Sequence, residues 1–171
     1  ADIIIPVWLT ASNGIPLGAG INPKFVKYNL IDHGFLLNLL GIGDTTNSIV
    51  KELLVANTVD LVDKGSLTEM VAGLELLKYM SSNERHDLYY WQNLTRGTVS
   101  EVDYVLSSGI DIVPMEVKSG LKGSMASLYV FMDKEHIKYG IRCSLENFGE
   151  FVNPKGKKII VNPLYAISNL F

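Results

Sequence analysis

Two strand-like runs, Glu101-Val-Asp-Tyr-Val-Leu106 and Ile112-Val-Pro-Met-Glu-Val-Lys-Ser119, stand a short turn apart and so specify a β-hairpin. Side chains alternate along a strand, so Glu116 and Lys118 share one face while Met115 and Val117 take the other. Asp103, on the first strand, is then expected to meet them across the hairpin. Two carboxylates and an ammonium gathered at one place can hold a divalent cation and stabilise the charge of a phosphoryl transition state. The bland alternative, a surface hairpin with ordinary ion pairs, uses the same residues.

The remaining pattern surrounds this hairpin with helices and further strands. Residues 3–9 and 25–31 read as strands joined by a long loop from Thr10 to Gly20, and residues 34–40 as a short helix closed by Gly41-Ile-Gly43. A helix capped by Asp44 or Thr45 is expected to carry Ile49, Leu53, Leu54 and Val59 at helical spacing. Another spans residues 66–80, with Leu67, Met70, Val71, Leu74 and Leu77 in an apolar stripe and Glu69 on its border. Residues 88–91 form a strand, residues 124–138 a helix stopped by Gly140, and residues 141–145 and 158–161 two more strands. Pro163 is placed to open a closing helix that runs to Leu170. From residue 65 the order is therefore α-β-β-β-α-β, then β-α.

Composition bounds the function mildly. A chain of 171 residues with 47% hydrophobic and 19% charged residues suits one soluble core. Its apolar stretches are interrupted by Asp, Asn, His or Lys, so neither a transmembrane helix nor a signal peptide is expected. The lone Cys143 has no internal disulfide partner and fits a reducing cytoplasm. A net charge of −3 speaks against strong non-specific binding to nucleic acid. The charge is uneven, however: residues 1–114 carry seven Lys/Arg and thirteen Asp/Glu, residues 115–171 eight and five. Either a basic surface beside an acidic site or a solvated helix face and loop accounts for this. His33, His86 and His136 lack the spacing of a zinc site. Tyr89, Tyr90 and Trp91 are expected in the core rather than stacked on bases, and Lys155-Gly-Lys-Lys158 in a hairpin turn. Because the chain opens inside an apolar strand with no initiator Met, it is expected to be a piece of a larger protein.

Several short segments carry a resemblance: Gly14-Ile-Pro-Leu17, Lys27-Tyr-Asn-Leu-Ile-Asp-His-Gly34, Gly65-Ser-Leu-Thr-Glu69, Tyr90-Trp91, Glu101-Val-Asp103, Pro114-Met-Glu-Val-Lys-Ser-Gly120 and Ser127-Leu128. In this order and spacing, over nearly the whole chain, they resemble the restriction-endonuclease-like PD-(D/E)xK nuclease fold. More narrowly, they resemble the domain found C-terminal to the P-loop in a bacterial and archaeal family of AAA-type ATPases. The resemblance implies an α/β fold with a restriction-endonuclease-like core (α-β-β-β-α-β) over residues 45–171. Residues 1–44 would be a small hairpin-helix appendage, the tail of a winged-helix-like segment. It further implies a Mg²⁺ or Mn²⁺ site on Asp103, Glu116 and Glu69, with Lys118 at the attacking water, and phosphodiester hydrolysis of DNA. Glu75 is the rival helix acid. Gln92 departs from the pattern, because a basic residue is common at that place. No G-x-x-x-x-G-K-[ST] loop is present, so ATP is expected to bind only to an ATPase domain of the same polypeptide. Two other readings stand beside the nuclease. One is a catalytically silent module that binds DNA or protein and regulates that ATPase, and the other is an oligomerisation or docking domain.

Overall fold

The computed structural model describes residues 3–39, 64–80, 87–93, 100–134 and 136–170. The expected helix around Ile49 to Val59, the Gly41-Ile-Gly43 stop, His86 and the loop Thr95-Arg-Gly-Thr98 lie outside them. The chain opens with β1 (Ile4–Thr10) and β2 (Ile21–Leu30), which pair antiparallel. Next come α1 (His33–Leu39), α2 (Lys64–Tyr79), β3 (Leu88–Asn93), β4 (Ser100–Val102), β5 (Tyr104–Ser108) and β6 (Asp111–Val117). Helix α3 (Ala126–Met132), β7 (Tyr139–Ser144), β8 (Gly149–Val152) and β9 (Lys158–Pro163) complete the order. The strands form a four-stranded sheet, β2-β1-β3-β4, and a five-stranded one, β5-β6-β7-β9-β8. Both are mixed: β1 runs parallel to β3 between antiparallel β2 and β4, and β6, β7 and β9 run parallel to one another between antiparallel β5 and β8. The fold is thus mixed α/β with few helices.

The expected hairpin forms as β5 and β6, with Ser108 opposite Asp111 across Gly109 and Ile110. Gly109 has φ +59°, a left-handed value that glycine adopts without strain. Pro114 sits in a strand paired on both edges, where a missing N–H would normally break the ladder. It is tolerated because pairing with β7 begins one residue later, at Met115 opposite Ile141.

Two apolar cores flank the sheets. Helix α2 packs Ala72 and Leu76 against Val7, Leu9, Tyr104 and Met115, and α3 packs Leu128 and Phe131 against Val102, Val105 and Ile159. Burying a leucine such as Leu76, which has no exposed surface, stabilises the fold by about 2 kcal/mol. Val102 and Tyr104 are two residues apart and in regular alternation would share a face, yet they enter opposite cores. The alternation slips by one residue at Asp103, as in a β-bulge, and this residue alone separates β4 from β5. The two sheets therefore join at Asp103.

Three sequence expectations need correction. The helix expected over residues 124–138 ends at Met132, where the last turn tightens: the Asp133 N–H donates to Tyr129 O and Val130 O, and that of Lys134 to Phe131 O. The Lys157 ammonium then caps the carbonyls of Met132 and Lys134, and Ile137 reaches the core from the following loop. Strand β8 was not expected, because all four of its residues are exposed and it has no apolar alternation. Pro163 does not open a helix; it ends β9 opposite Ser144. Residues Leu164–Leu170 form 3₁₀ turns kinked at Ala166, and Asn162 Nδ2 donates to the carbonyls of Pro163 and Ala166, both at 3.0 Å. Among the described residues no helix is long and apolar enough to cross a membrane.

Candidate functional site

The slip at Asp103 turns its carboxylate toward the end of β6, where Oδ2 accepts the Val117 N–H at 2.7 Å. Glu116 lies on the face of β6 opposite Met115 and Val117, and only 5% of its surface is exposed. Lys118 Nζ donates to Glu116 Oε1 at 2.6 Å, whereas Glu116 Oε2 is buried with no hydrogen-bond partner. Such an orphaned oxygen costs about 1–3 kcal/mol unless something satisfies it. The Lys118 N–H donates to Cys143 O at 2.8 Å, which continues the β6–β7 ladder past the strand end.

Lys118 is also held from above. Gly123 has φ +154°, and a Cβ there would lie 2.8 Å from Lys118 Cδ, so the loop after β6 presses its backbone onto the lysine stem. Arg142, opposite Glu116 in the register of β7, fixes that loop. Its Nη2 donates to Leu121 O at 3.0 Å and its Nη1 to Gly123 O at 3.4 Å, while Nε pairs with Glu146.

Glu69 enters from α2. Its backbone carbonyl accepts the Tyr104 hydroxyl at 2.8 Å, and Asn29 Nδ2 donates to that hydroxyl at 3.1 Å. One turn later Gly73 lets the helix approach this buried pair. The Glu69 carboxylate meets Lys27 Nζ, from β2, at 2.9 Å, and the same ammonium pairs with Glu101 of β4 and lies 4.9 Å from the centre of the Tyr90 ring. The ligand oxygens of Glu69, Glu101 and Asp103 come within 4.8 Å of one another. Glu116 is not in that trio; it adjoins Asp103 from the β6 side.

The electrostatics follow from this crowding. Burial first, then the Glu116 and Glu69 carboxylates, push Asp103 up to about 7, against the opposing pull of the Val117 N–H and Lys27. Burial likewise raises Glu116, with the Lys118 hydrogen bond opposing it. Lys27 is raised: burial disfavours its charge, but Glu69 and Glu101 outweigh that. The cluster is thus short of positive charge on the Asp103–Glu116 side. An all-carboxylate set with an unpartnered buried oxygen fits a hard divalent cation, which takes oxygen ligands.

Of the residues singled out from sequence, Glu69 and Asp103 share the trio, and Glu116 and Lys118 form the adjoining pair. Two members were not anticipated. Glu101 could have been found, because it precedes Asp103 by two residues on the same run. Lys27 gave no local signal, since it lies 42 residues from Glu69. Glu75 pairs with Lys78 and is not among the cluster. The His136 ring meets Ser12 O at 2.9 Å, Trp91 packs edge-on against Phe131, and Cys143 is buried with its thiol pushed up to about 12. Asn153 Oδ1 accepts the N–H groups of Lys155 and Lys157 and closes the turn between β8 and β9, which holds Lys155-Gly-Lys. Lys138, Lys155 and Lys158 pair with Asp111, Asp133 and Glu150, so much of the basic charge after residue 114 is engaged within the domain.

No curated protein and no solved structure matches the chain. A family model does match, over residues 64–166, which takes in α2, the Asp103–Glu116 hairpin, Lys118, Arg142 and β9 but not Lys27. On that match the chain belongs to the family described as a domain of unknown function, DUF4143, an uncharacterised domain often found with AAA ATPases.

Proposed function

We propose that this domain is a Mg²⁺- or Mn²⁺-dependent nuclease that hydrolyses phosphodiester bonds in DNA, in the cytoplasm, beside an AAA-type ATPase domain of the same polypeptide. The observation that carries the reading is the buried, unpartnered Oε2 of Glu116 next to Asp103, with Lys118 held on the other oxygen. The element order supports a restriction-endonuclease-like core: α2 precedes the antiparallel run β3, β4–β5 and β6, and α3 then crosses over to a β7 parallel to β6.

Asp103 Oδ1 and Glu116 Oε2 would hold the ion, with Glu69 at its side. When bound, it would lower the pKa of a water and offset charge on the phosphoryl group. The chain's own part is positional. Asp103 keeps its orientation because Oδ2 is tied to the Val117 N–H, so one oxygen is left to face the site. Lys118 is pinned between Glu116 and the Gly123 backbone, where its ammonium can offset charge that develops on the substrate.

Calorimetric titration with Mn²⁺ paired with a plasmid-nicking assay tests this. Asp103→Ala is expected to lose both metal binding and cleavage, whereas Lys118→Ala keeps the metal and loses only cleavage, the mark of an interaction made in the transition state. If wild type binds Mn²⁺ but cuts no DNA or RNA, with or without its ATPase, the domain is a silent regulatory module instead. If Lys118→Ala cuts as well as wild type, the activity belongs to another site.

A further inference from the structure

The acidic cluster already holds a cation of its own. Lys27 is anchored on β2, opposite Val7 in the pairing with β1, so its backbone is fixed by the hairpin. Its ammonium is engaged on three sides, by the carboxylates of Glu69 and Glu101 and by the face of Tyr90. The other side of the cluster is different. There Asp103 spends only Oδ2 on a hydrogen bond, and Glu116, 95% buried, leaves Oε2 without a partner.

We propose that Lys27 permanently fills one of two cation positions in this cluster, so that the site takes a single divalent ion, on Asp103 and Glu116, and not a pair. The inference rests on the metal-site reading of Asp103 and Glu116 given above. Charge balance points the same way. Glu69, Glu101, Asp103 and Glu116 face Lys27 and Lys118, and four carboxylates against two ammoniums leave a charge that one divalent ion cancels. Space agrees as well. Paired metal ions stand about 3.5–4 Å apart and need carboxylates between them, but the Glu69–Glu101 position is taken by the ammonium. A second ion would have to break both ion pairs and pull Lys27 off Tyr90. Lys27 supplies positive charge without an open coordination position, so substrate contact falls to the Asp103–Glu116 side and to Lys118.

The test is the number of Mn²⁺ ions bound per chain, counted by calorimetry and by electron paramagnetic resonance of free Mn²⁺. Wild type is expected to bind one ion. Lys27→Met, of similar length but uncharged, is expected to bind two, and Lys27→Arg one, with circular dichroism confirming that each variant folds. Two ions on wild type, or one ion of unchanged affinity on a folded Lys27→Met, overturns the inference while leaving the metal site standing. No ion on wild type overturns the metal site and this inference together. Should Lys27→Met not fold, ¹⁵N-edited spectra of the wild-type lysine ammonium groups decide: the Lys27 resonance persists at saturating Mg²⁺ if it is a resident cation, and its loss shows that the metal displaces it.

Discussion

Replacing Gly73 with alanine sets two effects of opposite sign against each other. In a solvent-exposed helix the change stabilises by about 1 kcal/mol, because alanine is the better helix former. Here the new Cβ would overlap the Tyr104 hydroxyl and lie 2.6 Å from Asn29 Nδ2. Tyr104 has no exposed surface and Asn29 is 7% exposed, so neither has room to step aside. Overpacking a core by one methyl costs about 1–3 kcal/mol. Separating Tyr104 from the Glu69 carbonyl leaves a buried polar group unsatisfied, for about 1–3 kcal/mol more. The sum outweighs the propensity gain, and a net loss of about 1–5 kcal/mol is expected in urea unfolding monitored by circular dichroism. Tyr104→Phe in the same chain removes the overlapping oxygen, so the double variant should lose less than the two single losses added. If Gly73→Ala is as stable as wild type, or if the two losses simply add, α2 does not approach the sheet as closely as described and the placement of Glu69 loses its support.

Further expectations concern titration, the loop and the thiol. Asp103 keeps its proton up to about pH 7 in the fold but releases it near 3.9 when unfolded, so the metal-free folded chain binds more protons between these values and loses stability as pH rises through them. The loss is up to about 4 kcal/mol, and Asp103→Asn should gain on wild type from pH 4 to 7 in urea midpoints taken with chelator; a constant difference would refute the raised Asp103. Gly123→Ala, strained at φ +154° and pressing on Lys118, should leave the Mn²⁺ Kd unchanged and lower the cleavage rate. Cys143, fully buried with its thiol held up to about 12, should resist iodoacetamide at pH 8 until urea unfolds the chain.

The hairpin and the meeting of its charged side chains were legible because they are local. Alternation from Ile112 to Val117 and a turn at Gly109 specify which residues face which side, and Asp103, Glu116 and Lys118 follow. Glu69 needed the resemblance, since the border of an apolar stripe does not say what a helix faces. Lys27 was out of reach of any local pattern, because its partners come from α2, packed against β2, and from β4, at the other edge of the sheet. Periodicity misled at Ile137, which continues the apolar spacing of α3 but is buried from a loop, the chain having left the helix at the Lys157 cap. It was silent for β8, an edge strand whose four residues are all exposed.

The slip at Asp103 makes length as consequential as chemistry at this point of the chain. Val102 and Tyr104 feed opposite cores, as adjacent strand residues do, because the residue between them is surplus to the alternation, and that residue is the one whose carboxylate faces the cluster. Substituting Asp103 removes a charged group and keeps the count. Deleting it would make Val102 and Tyr104 neighbours in unbroken alternation, which sends adjacent residues to opposite faces, so both cores would keep their side chains. A one-residue deletion is therefore expected to silence the site and spare both cores, whereas inserting a second residue beside Asp103 with the slip kept would turn either Val102 and Ser100 or Tyr104 and Leu106 to the wrong face.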